Sequence, residues 1–169
     1  METANQNTGP RKRRSLQRGS IFRRSVAIFP MLLLPVLIYL IMVMFAGQPS
    51  DLNVPGMVAS LDYTLLQVPM ISGVRWQLRA GDLLLLFGLA MLAIEIAKAT
   101  SSKSVSIANH AASMVILLIG LILFLTVRGF ATSTFFLLTM MMLFDVLAGA
   151  VVTIVSARRD FGVGDGIVS

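Results

Sequence analysis

The chain has 169 residues, of which 56% are hydrophobic and 13% charged, and its mean hydropathy is +0.84. A soluble domain carries about 25% charged residues, so an ordinary water-soluble enzyme, a disordered chain and a collagen-like repeat are excluded, and a polytopic membrane protein remains. The net charge is +6, and seven of the 14 basic residues crowd between Arg11 and Arg24, a placement that fits a membrane flank rather than a nucleic-acid surface.

Residues 1–24 are expected to form a flexible basic tail. In it Arg11, Lys12, Arg13, Arg14, Arg18, Arg23 and Arg24 either fix topology or grip anionic lipid headgroups, at about 1 kcal/mol per charge near the surface. Phe22 alone does not interleave this run with the aromatics that nucleic-acid binding needs. The next 21 residues, Val26 to Ala46, carry no charge. That exceeds the apolar core of a signal peptide, about 7–15 residues, and no convincing cleavage site follows. An Arg-rich, acid-poor tail also has the composition of a transit peptide. Pro30 and Pro35 are expected to kink this first span or loosen its start.

Residues 47–80 form the only sizeable loop between apolar runs. Pro49, Pro55 and Gly56 mark its first part as irregular. Tyr63–Val68 and Val74–Leu78 then read as two short strands joined by a turn over Pro69–Gly73. An isolated strand pair is marginal in water, so it is expected to lie on the outer ends of the helices. Tyr63 and Trp76 have the apolar body and polar tip of interface anchors.

Three further apolar runs follow, Leu83–Ala97, Ala111–Val127 and Phe135–Val155. A helix needs about 20 mostly apolar residues to cross the hydrocarbon. The expected fold is therefore an all-α membrane protein, a four-transmembrane-helix bundle with a short extracytoplasmic β-hairpin. Its helices fall at about residues 25–46, 81–100, 108–128 and 134–157, within a membrane domain of 25–160, and residues 161–169 form a second tail. With the amino terminus inside, eleven Lys and Arg residues flank the cytoplasmic side, Arg158 and Arg159 among them, and three flank the other. That bias puts both termini in the cytoplasm. Arg128, at the outer end of the third span, reads as a snorkelling anchor.

Inside the membrane three residues require an explanation: Glu95, Lys98 and Asp145. Asp145 lies 11 residues past Thr134 and Glu95 lies 12 past Leu83, which puts the carboxylates about 16 and 18 Å deep on helices of opposite direction. Small residues share their faces: Gly81, Gly88 and Glu95 recur every seven, as do Ser106, Ser113 and Gly120, while Met141, Asp145, Gly149 and Thr153 recur every four. Such stripes let helices approach closely in lipid. A charge at that depth costs about 2.5–3.5 kcal/mol or more, and two nearby carboxylates repel. Either one is protonated or Lys98, three residues from Glu95, stands between them. A proton- or cation-binding site and a purely structural bond both remain open.

No metal site or cofactor is expected. Cysteine is absent, and His110, the only histidine, reads as an interfacial residue at the cytoplasmic start of the third span. The Met140–Met142 run reads as packing material. The Gly-rich Phe161–Gly166 follows a helix rather than a strand and so fails as a nucleotide loop. The chain holds no G-x-S-x-G elbow, Walker sequence or H-E-x-x-H, so it is not expected to be an enzyme.

Four pieces, Gly81–Leu86, Gly129–Phe136, Asp145–Gly149 and Ala157–Asp160, make the part from Gly81 onward, about half of the chain, similar to a family of small bacterial inner-membrane proteins with four transmembrane helices and no assigned function. The resemblance implies a bacterial cytoplasmic membrane location and brings no activity, ligand or catalytic residue. The leading expectation is an accessory, assembly or scaffold subunit that contacts a membrane protein or a second copy of itself. A small proton- or cation-coupled transporter is the first alternative, and a membrane enzyme acting on lipid the second.

Overall fold

The computed structural model describes residues 29–46, 54–99 and 103–162. In chain order these form helix α1 (Leu33–Phe45), a short helix α2 (Met57–Leu61), strands β1 (Thr64–Pro69) and β2 (Arg75–Arg79), and helices α3 (Ala80–Ala99), α4 (Lys103–Thr126) and α5 (Ser133–Gly162). A 3-10 turn at Arg128–Phe130 leads into α5. Three helical stretches are long and apolar enough to cross a membrane, Ala80–Ala99, Ala108–Thr126 and Ser133–Val155.

The first span departs from expectation. Instead of a helix over 25–46, α1 has 13 residues, about 20 Å of helix against about 30 Å of hydrocarbon. Proline sets that limit. Pro30 pushes Phe29 away from helical geometry, Met31 and Leu32 form a turn, and the helix starts only at Leu33. Pro35 falls in the first turn, where a missing N–H breaks no intrahelical bond. Residues 25–28 and the basic tail from Arg11 to Arg24 lie outside the described residues.

Helix α5 is the centre of the bundle. It packs along both α3 and α4, and α1 lies against α3 and α5. Its buried stripe is Phe135, Leu138, Met142, Asp145 and Gly149, at steps of three and four. Met141 is half-buried and Thr153 exposed, so the four-residue stripe expected from the sequence holds only at Asp145 and Gly149. A strict step of four drifts around the helix, whereas alternating threes and fours stay on one face. On α3, Gly81, Gly88 and Glu95 are all buried. A Cβ at Gly88 would come within 2.7 Å of Leu138 Cδ2, so the glycine admits α5.

The middle of α1 is fixed by Tyr39. Its ring meets Phe135 and Phe130 at centroid distances of 4.8 and 5.4 Å. Its hydroxyl donates to the Gly129 carbonyl at 3.0 Å and shares a 2.6 Å hydrogen bond with Thr132 Oγ1. Thr132 Oγ1 also accepts from the Phe135 N–H at 3.2 Å, which makes Thr132 the side-chain cap of α5. Helix α1 is thereby tied to the start of α5.

The strands pair antiparallel, with Gln67 opposite Gln77 and Val68 opposite Trp76. Met70 N–H donates to the Val74 carbonyl at 2.9 Å, and Gly73 adopts φ +83° at the turn, a conformation that glycine takes without strain. The pair was expected to lie on the helix ends. Instead its side chains are exposed, apart from half-buried Thr64, Val68 and Leu78. Bonds hold it at its base: Ala80 N–H to the Tyr63 carbonyl at 3.0 Å, and Arg79 to Asp62 at 2.9 Å. Asp82 accepts from the Arg79 N–H at 2.9 Å, the backward half of a capping box that starts α3.

Tyr39→Phe is expected to lower stability by about 1–2 kcal/mol, because it leaves the Gly129 carbonyl without its partner. Phe135→Ala is expected to cost more, about 3–5 kcal/mol, because it opens a cavity. Unfolding curves of both variants in one detergent check the order.

Candidate functional site

Glu95, Lys98, Asn109, His110, Ser113 and Asp145 collect where α3, α4, α5 and the segment before α1 meet. Glu95 is 0% exposed. Its position on α3, seven residues after Gly88 and fourteen after Gly81, puts it on the buried face. Oε2 accepts the Met31 N–H at 2.7 Å, and Oε1 accepts a short hydrogen bond from Asn109 Nδ2 on α4. Lys98 Nζ, one turn along α3, lies 3.3 and 3.2 Å from the two carboxylate oxygens. It also donates to the Phe29 carbonyl at 2.8 Å.

This arrangement has a definite local purpose. Pro30 prevents Phe29 and Met31 from making helical bonds, and unpaired backbone groups away from water are costly. Lys98 takes the Phe29 carbonyl and Glu95 takes the Met31 N–H. The carboxylate also stands at the positive end of the α1 dipole. Glu95 is therefore fully engaged in holding α1, α3 and α4 together.

Asp145 is differently placed. It is 6% exposed, and among the described residues no ion pair seats its carboxyl. Ser113 is beside it, and Glu95, His110 and Lys98 all lie within electrostatic reach. The His110 ring packs against Gly149, one turn along α5 from Asp145: a Cβ there would fall 2.5 Å from Nδ1. Asn109, His110 and Ser113 form one face of α4. Asn109 Oδ1 and His110 Nδ1 are buried there without a hydrogen-bond partner, and the Ser113 hydroxyl is the group next to the Asp145 carboxyl.

Glu95, Lys98 and Asp145, singled out from the sequence, thus occupy one neighbourhood. The contribution of Asn109 was missed; an amide in the first turns of an apolar helix was the available signal. His110, expected at the interface, instead packs on α5. Tyr63 is exposed just before β1, Trp76 is exposed on β2, and Arg128 is exposed in the 3-10 turn. The side chains of Ser106, Arg158 and Arg159 lie outside the described residues. No group of three or more metal-ligating side chains occurs among the described residues. The chain matches no protein-family model, and comparison with curated proteins and with solved structures gave no match.

Lys98→Met leaves the buried Glu95 charge without its cation and is expected to cost about 3–5 kcal/mol. The Glu95→Gln/Lys98→Met double variant removes both charges and is expected to recover part of that loss. Thermal unfolding of both variants in nanodiscs measures the difference.

Proposed function

We propose that this is a non-enzymatic integral membrane protein that works through contacts, as an accessory, assembly or scaffold subunit of a membrane complex. The observation that carries this reading is the strand pair. Leu65, Leu66, Met70, Ile71, Val74 and Trp76 are all exposed on it, and it belongs to none of the membrane-length helices. A concentrated apolar surface off the spanning segments marks an interaction site. The sheet has two strands, so each strand offers its outer edge to a third, a common mode of strand addition between proteins.

The location belongs to the same proposal: a bacterial cytoplasmic membrane, crossed by four segments, with both termini inside. The support is the excess of Lys and Arg on one set of flanks and the resemblance of the part from Gly81 onward to small inner-membrane proteins. Under this orientation the strand pair faces outward and meets an extracytoplasmic surface of its partner. A proton- or cation-coupled carrier is the second reading, favoured by the unpartnered polar atoms around Asp145.

Trp76 is the only tryptophan, so its emission reports on the strand pair alone. Capture from native membranes is expected to recover a membrane-protein partner or a second copy, and Ile71→Asp is expected to lose it. Trp76 emission is expected to change when the partner binds. Recovery of the wild-type chain only as a lone monomer, with Trp76 quenched by brominated lipid, overturns the reading in favour of a lipid anchor.

A further inference from the structure

We propose that Asp145, His110, Ser113 and Asn109 form a buried site for one exchangeable proton, held between α4 and α5. The site is a matter of hydrogen-bond supply. Asp145 brings two carboxylate oxygens and Asn109 brings Oδ1, all of them acceptors. Against these stand the Ser113 hydroxyl and the single N–H of a neutral imidazole. Of the two Asn109 amide hydrogens, one is committed to Glu95. Two buried polar atoms, Asn109 Oδ1 and His110 Nδ1, have no partner, while the Ser113 hydroxyl is beside the Asp145 carboxyl. Asn109 is 8% exposed and Ser113 5%, so bulk water does not supply the missing donors. One added proton turns an acceptor of this group into a donor.

Charge leads to the same number. Lys98 and Glu95 form an ion pair and cancel. With His110 neutral, the Asp145 carboxylate leaves the neighbourhood with one net negative charge at a depth where an uncompensated ion is expensive. One proton brings it to neutrality. The groups facing Asp145 are Glu95 and Lys98 from α3, and His110 and Ser113 from α4. An alkali cation fits this set poorly, because such ions prefer shells of oxygen ligands and one of the open atoms is an imidazole nitrogen. His110 is half-buried while Asp145 is buried, so the imidazole is the member through which the proton enters and leaves.

This site does not rest on the partner reading, and it requires no flux across the membrane. It is tested by infrared pH titration in nanodiscs, on protein purified without a histidine tag so that His110 remains the sole imidazole. The wild type is expected to show a protonated-carboxyl band that responds to pH and is absent in Asp145→Asn. His110→Gln keeps the carboxyl and is expected to move the midpoint of that response. The nitrogen-15 resonances of His110 are expected to change together with that band in the wild type, and to lose that step in Asp145→Asn. If Asp145→Asn fails to fold, the His110→Gln shift and the coupled imidazole signal decide the matter. The proposal is overturned by a carboxyl band that does not respond to pH, by one that His110→Gln leaves unmoved, or by a midpoint that follows sodium concentration at fixed pH, which identifies a cation site.

Discussion

The bundle depends on how one interrupted stretch of backbone is satisfied. Proline at position 30 breaks the first apolar run, and the free groups on either side of it take partners from elsewhere in the chain. The Glu95 carboxylate meets the Met31 N–H, the Lys98 ammonium meets the Phe29 carbonyl, and Asn109 closes the group from α4. The two charges neutralise each other while each also serves a main-chain group. That double service explains why an ion pair is retained there, since a buried pair by itself contributes little net stability.

Midway along α1 a second polar staple does the same work without charge. Tyr39, Thr132 and the Gly129 carbonyl form a short chain of hydrogen bonds that caps α5 and holds α1 against it. Between the staples the contacts are apolar, and glycines set their closeness: Gly88 under Leu138, Gly120 under Met142, Gly129 against Val43. Polar bonds thus fix where the helices stand along one another, and small residues fix how near they come. Asp145 is the one deep carboxyl that neither staple uses, which is why its surroundings read as a site.

Much of this was legible in the residues. The apolar runs located the long helices to within a few positions at most of their ends, apart from the charged flanks at Lys103 and Gly162 that helical geometry carries further. The sevenfold spacing of Gly81, Gly88 and Glu95 identified the buried face of α3, because a helix returns to nearly the same direction after seven residues. The start of α1 was legible only in part: Pro30 pointed to a loosened start, but hydropathy continues smoothly through Val26–Leu32 and does not mark Leu33 as the first helical residue. Of the partners of Glu95, Lys98 was legible from its spacing of three, whereas the Met31 N–H is a backbone group with no side-chain signature and Asn109 lies on another helix. His110 was read by its place at the end of a run, whereas its setting is decided by a glycine on another helix.

The shortness of α1 has a consequence for the lipid around it. Leu34, Leu37, Ile38 and Ile41 face outward from a rod about 10 Å shorter than the hydrocarbon layer. In the proposed four-segment topology, acyl chains bordering that rod compress or tilt to meet it, whereas those beside α5 need no such adjustment. In that topology the annulus is lopsided, pinched on one flank, and membranes of different thickness accommodate it at different cost.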